Sequence, residues 1–369
     1  MIYALLVKYS YFLIVLILTL LVVRRYYNRS ICNKSKCNNG VFFLVLLLAL
    51  LIGFRPPVGK LFVDMGNYIS FYTFIYEGAP FKFDFHAENL LFDNLFACWW
   101  AMRLGYTSFF VLIAFIYFGS CYLGIRRLFP HDTLIAYLVF LGAFSTFSYA
   151  TNGIKAGAAA SLFIWALGYR DNLKICIPII LLSWGFHHSM QLPVAAFLLT
   201  IFFKKPSYYY YAWLFCFFIA ALHISYFQNL FGGMTDSQGA GYLNYDGAES
   251  DGTKGGFRID FIIYSMVPII MGYIIEMKKK IHVSEVYRSL IHLYVCCNGI
   301  WMLCMYASFT NRIAYLSWFL YPIVLIYPYL KENINSCGLI SFKKVVYFHL
   351  GFTLFMDLFF YGGIKLLLN

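Results

Sequence analysis

Four cations and a few candidate bases stand where an apolar chain meets its polar loops. Arg55 follows the apolar run Val41–Phe54, in G-F-R-P-P-V-G-K-L-F-V-D-M-G-N-Y (Gly53–Tyr68). Lys155 lies near the start of another run, in T-N-G-I-K-A-G-A-A-A-S, and Arg258 and Arg312 open two more, in F-R-I-D-F and N-R-I-A-Y. A cation at a helix N-terminus opposes the helix dipole, so Arg258 and Arg312 are unfavourable unless an anion is also present. A phosphate held by guanidinium forks meets that need. The plainer reading of each cation is an anchor that snorkels to lipid headgroups.

The candidate bases are His187, His188 and Asp64. A neutral histidine near a cluster of cations is suited to accept a proton. Adjacent residues diverge by about 100° on a helix, so one of the two histidines is expected to face a site. The plainer reading has one of them bonding a carbonyl at a helix break. Asp64 ranks second, since it either serves as a base or neutralises Arg55 or Lys60. Lys155 is set against a small-residue stripe, Gly153, Gly157 and Ser161, suited to close helix packing. It lies about 160–200° from that stripe, facing a cavity or lipid, and the cavity costs less. The histidines lack a third ligand at sensible spacing and no D-x-D occurs, so no metal and no cofactor are expected.

The chain that must position these groups is strongly apolar. Of 369 residues 62% are hydrophobic and 12% charged, against about 25% charged in a soluble domain. Apolar runs recur at about 3–23, 41–54, 105–124, 133–150, 153–169, 174–188, 189–203, 208–227, 258–276, 286–306, 312–330 and 345–366. The expected fold is all-α: a polytopic integral membrane protein of about twelve transmembrane helices, with residues 1–369 as one membrane domain. Forty Phe and 32 Tyr suit interfacial aromatic belts. Residues 1–23 read as a retained first span, because no small-residue cleavage site follows. The ten Cys show no disulfide or zinc framework.

Loop charge alternates along the chain. One set of loops, with Arg288, holds eighteen of the 28 Lys and Arg and five of the 16 Asp and Glu; the other side holds the remaining ten and eleven. The positive-inside rule puts the first set in the cytoplasm, with both termini outside. The net charge of +12 therefore reflects topology rather than nucleic-acid binding. The count requires residues 174–203 to be two short helices broken at Trp184–Ser189. Two long loops, 55–105 and 228–257, fall on the outer side. Asn89–Met102 within the first reads as an amphipathic helix lying in the interface. All the candidate residues lie on that same side, which points to an extracytoplasmic pocket for a lipid-linked pyrophosphate.

The ordered pattern resembles the EpsG-like family of Wzy-type polysaccharide polymerases, over about residues 41–330. The resemblance rests on Gly53–Tyr68, on N-G-I-K-A-G-A-A-A-S-L-F (Asn152–Phe163), on G-F-H-H-S-M-Q-L-P (Gly185–Pro193), and on F-R-I-D-F and N-R-I-A-Y. Lys155 stands where the family usually has Arg, and Lys60–Val63 lengthens the usual Gly-to-Asp spacing. The resemblance implies a GT-C-like polymerase or ligase fold in the bacterial cytoplasmic (inner) membrane. It implies polymerisation of undecaprenyl-pyrophosphate-linked repeat units of O-antigen, capsule or exopolysaccharide. Arg55, Lys155, Arg258 and Arg312 would bind pyrophosphate, and Tyr68, Tyr242 and Tyr245 the sugars. The partners would be the lipid-linked donor and acceptor, the bilayer and a chain-length-regulating copolymerase. An O-antigen ligase would share the same donor chemistry. A flippase would want inverted repeats and midplane charges, and a polysaccharide acyltransferase a cytoplasmic thioester route; neither pattern is found.

Overall fold

A computed structural model describes residues 2–26, 40–59, 61–75, 79–224, 226–232, 256–307, 310–332, 334, 339–360 and 363. Lys60, Tyr242, Tyr245 and most of the second long loop lie outside them. Among the described residues every regular element is helical.

The first run forms α1 (Ile2–Tyr26), with Arg24 and Arg25 in its last turn, where cations suit the dipole. Helix α2 (Gly40–Gly53) stops just before Pro56-Pro57, which cannot continue it. The stretch read as the first long loop carries two helices, α3 (Val63–Ile75) and α4 (Leu90–Ala101). Only α4 was anticipated from the sequence, and it buries Phe92, Phe96 and Trp100. Next come α5 (Tyr106–Leu128), α6 (Thr133–Leu141), α7 (Phe144–Thr151), α8 (Ile154–Leu167) and α9 (Leu173–Phe186). A 3-10 turn, His188–Met190, separates α9 from α10 (Gln191–Phe202), so the break expected at Trp184–Ser189 is present. The chain continues through α11 (Pro206–Ala221), α12 (Tyr226–Gly232) and α13 (Ile259–Tyr273), which runs into a π turn, Ile274–Lys278. It ends with α14 (Glu285–Leu303), α15 (Thr310–Trp318), α16 (Tyr321–Lys331) and α17 (Phe342–Phe355).

Four stretches among the described residues are long and apolar enough to cross a membrane: Ile2–Arg25, Tyr106–Leu128, Ile259–Lys278 and Thr310–Lys331. The bent pair α6–α7 makes a fifth if counted as one span. The protein is therefore an all-helical membrane protein. The remaining apolar segments form helices shorter than the roughly 20 residues a simple span requires.

The chain divides into two compact units, Met1–His187 with Ile334–Asn369, and His188–Asn333. In the first, the run 133–150 is not one helix: it bends by 73° between α6 and α7. The bend frees backbone carbonyls, which hydrocarbon cannot solvate. Side chains from other helices bond them. Tyr11 donates to Leu141 O (2.7 Å), His349 Nε2 to Val139 O (3.0 Å) and Tyr117 to Thr146 O (3.1 Å), while Thr146 donates to Phe140 O (2.7 Å). Lys8 of α1 and Asp357 beyond α17 form an ion pair at 2.6 Å. Helix α8 packs closely on α7: a Cβ on Gly157 would lie 2.5 Å from the Tyr149 carbonyl oxygen.

In the second unit a polar relay joins three helices. Trp213 donates to Asn298 (2.9 Å), and Asn298 donates to Ser317 (3.1 Å). Glu276, in the π turn, accepts from Tyr210 (2.8 Å) and pairs with His292 (3.1 Å). Arg288 lies 3.6 Å from its other oxygen. Loops assigned by charge to one side also meet within each unit. Arg127 lies over Tyr169 at 4.9 Å, Lys204 is 3.9 Å from Glu285, and Ser284 bonds Glu332.

This packing makes three substitutions informative. Gly157→Ala forces α7 and α8 apart and is expected to cost about 1–3 kcal/mol, read as a lowered Tm of the purified protein. Gly119→Ala, whose Cβ meets nothing within 4 Å, leaves Tm unchanged. Glu276→Leu strands His292, Tyr210 and Arg288 and is expected to destabilise by about 3 kcal/mol, checked by the same melts.

Candidate functional site

The first unit brings together two of the sequence motifs and the start of a third. Arg55 follows α2 and is 2% exposed. It donates through one Nη to Ile52 O (2.8 Å) and through the other to Thr151 O (3.2 Å). The rings of Phe62 and Phe110 lie 5.6 and 5.1 Å from the guanidinium carbon. Burial lowers the Arg55 pKa, and the charge of Asp64 in the first turn of α3 opposes the shift. Arg55 thus turns inward, closing the end of α2 onto the end of α7, rather than presenting a fork at the surface. Its buried Nε carries no hydrogen bond. Asn152 ties the same junction to the α3 approach, donating to Leu61 O at 2.8 Å.

Lys155, in the first turn of α8, is paired with an acid. Its Nζ lies 2.9 Å from Asp93 Oδ1 on α4, and the two side chains are 26% and 28% exposed. The other Asp93 oxygen accepts from the Asn89 backbone N–H at 3.0 Å and Asn89 Nδ2 at 3.4 Å. Phe92 and Tyr68 lie 5.4 and 6.0 Å from the ammonium. Tyr68, expected to meet a sugar, packs on Phe92, Phe96 and Phe110 at 5.9, 5.7 and 6.5 Å. Asp93 was missed from sequence because an acid in a helix's first turn reads as dipole decoration. The available signal was its place beside Phe92 on an otherwise apolar, amphipathic helix.

The two histidines are separated by the break. His187 closes α9 in extended conformation (φ −154°, ψ 121°) and His188 opens the 3-10 turn. The end of α9 lies against α4. Phe186 meets Phe92 at 6.1 Å, and a Cβ on Gly185 would come within 2.6 Å of the Leu91 side chain. Of the two histidines, His187 is the one carried by the unit that holds Lys155 and Asp64.

The second unit holds the other two cations. Arg258 caps the start of α13 and donates to both oxygens of Asp260, at 2.9 and 2.6 Å, with its guanidinium 3.7 Å from the Phe261 ring. Its backbone N–H bonds Met305 Sδ beyond α14 (3.3 Å). Phe261 packs on Trp318 of α15 (4.8 Å), the helix that carries the exposed Arg312. The anion that the dipole argument demands beside Arg258 is thus already supplied by Asp260, and Lys155 likewise has Asp93.

Replacing Arg55 by Met leaves the Thr151 carbonyl unmatched, at about 1–3 kcal/mol, and leaves Ile52 O with only the residue-55 backbone N–H at 3.3 Å. The expected result is a clearly lowered Tm. Arg55→Lys recovers only part of the loss, because a point charge replaces a fork.

No curated protein and no solved structure matches the chain. The EpsG family matches residues 39–363. That span takes in all five motifs and both units' cations, and the chain belongs to the EpsG family, whose members are Wzy-like polymerases.

Proposed function

We propose that this protein is a membrane glycosyltransferase that polymerises oligosaccharide repeat units carried on undecaprenyl pyrophosphate, on the outer face of the bacterial cytoplasmic membrane. The supporting observation is a partly exposed ammonium, Lys155, held beside Asp93, Tyr68 and Phe92, in a chain of this family. On this reading a hydroxyl of the acceptor unit attacks the anomeric carbon of the growing chain. The bond from that carbon to the pyrophosphate oxygen breaks, and the lipid pyrophosphate leaves with the electron pair. Pyrophosphate is a good leaving group, so stabilisation of its charge outweighs general-acid help.

Lys155 supplies a point charge that reaches the phosphate directly. Arg55, enclosed and bonded to carbonyls, acts through its field and by holding the junction. Arg258 and Arg312 form a second cationic set, and two such sets suit a reaction in which donor and acceptor both carry pyrophosphate. The proton of the attacking hydroxyl goes to His187, His188 or Asp64. Tyr68 offers an aromatic face for a sugar, and Tyr242 and Tyr245 are assigned the same role. Whether the product is O-antigen, capsule or exopolysaccharide, and whether a copolymerase sets its length, lies with the partner system.

The test uses purified protein and a lipid-linked repeat unit, with no nucleotide sugar and no second protein. A ladder of extended products is expected. Lys155→Ala and Arg312→Ala are expected to abolish the ladder while the variants still insert in membranes. Transport of the cognate unit without extension would sink the reading, and a normal ladder from either variant removes that residue from the site.

A further inference from the structure

We propose that Asp93 is a positioning residue that holds Lys155 in the substrate-free protein and exchanges it with the donor's phosphate. The inference rests on reading Lys155 as a phosphate contact. Three observations carry it. The Lys155–Asp93 pair is about a quarter exposed on both sides (26% and 28%), which leaves an edge of it open to an incoming anion. The two partners are also unequally held. Asp93 is tied by its second oxygen to the Asn89 backbone and side chain, and Asn89 itself is 3% exposed. Lys155 ends a four-carbon stem whose ammonium lies near two ring faces and bonds Asp93 through a single N–H···O contact. A compact ammonium on such a stem changes partners easily. Finally, the ring faces of Phe92 and Tyr68 attract a cation from any direction across them, so they keep the charge near the site as it moves.

The consequence is an internal competitor. A carboxylate that occupies the ammonium weakens binding of a phosphate, and it recaptures the ammonium when the pyrophosphate leaves. A site with strongly attracting cations and no such carboxylate would retain its own product. Asp93 therefore trades affinity for turnover, which a purely structural ion pair would not do.

The test measures binding of inorganic pyrophosphate to the purified full-length protein by calorimetry at low salt. Asp93→Asn is expected to bind about fivefold more tightly than wild type, the scale of a partly exposed ion pair. In a Lys155→Met background the same change is expected to have no effect. Asp93→Ser serves if Asp93→Asn does not fold, with the same expectations. Unchanged or weaker binding by the single variant overturns the inference, as does an equal gain when Lys155 is absent. A wild-type protein that binds no pyrophosphate overturns it together with the anion site. The polymerase reading fails separately, if wild type binds pyrophosphate but builds no ladder.

Discussion

An ammonium at the start of a helix in an apolar bundle has to be matched by a negative group, and Lys155 is matched by Asp93. That requirement organises the polar end of the first unit. To bring Asp93 to Lys155, α4 must lie against the start of α8. Phe92 then meets Phe186, Leu91 fills the space over Gly185, and Tyr68 packs on the opposite side. The ion pair itself, being partly exposed, contributes on the order of 1 kcal/mol or less. Phe92, Phe96 and Trp100 bury far more, at about 25 cal/mol per Å² of apolar area. The aromatics hold α4 in place and the ion pair selects its register.

The same constraint explains the interior. Backbone groups that a broken helix releases must find partners inside the protein. The α6–α7 bend is matched by Tyr11, Tyr117, Thr146 and His349, drawn from four parts of the chain. Arg55 does the same at the α2–α7 junction, which is why it turns away from the surface. In the second unit Glu276 gathers Tyr210, His292 and Arg288, although its place among lysines makes it look like a loop charge. These polar residues bind helices together where apolar contact gives no preference over lipid.

Much of this was legible from local pattern. The break at Trp184–Ser189, the amphipathic α4 and the close-packing stripe at Gly157 all follow from neighbouring residues, and all are present. The bend at Gly142 was not legible, because L-G-A-F-S is short and its apolar flanks run on without a gap. Helix α3 was hidden by the prolines before it. Asp93 and Glu276 were invisible as partners, since their partners sit on other helices, 12 to 66 residues away, and nothing local marks them.

The sequence alone determined that this is a helical membrane protein and where its polar groups cluster along the chain, because hydropathy and charge are additive over neighbours. It also carried the ordered motifs that place it in its family. Only the tertiary structure decided which cations are available. Arg55 is closed over two carbonyls, Arg258 is held by Asp260, and Lys155 rests on Asp93 with about a quarter of its side chain exposed. Availability depends on what lies across the helix interface, and the partner of a charge is set by packing rather than by spacing.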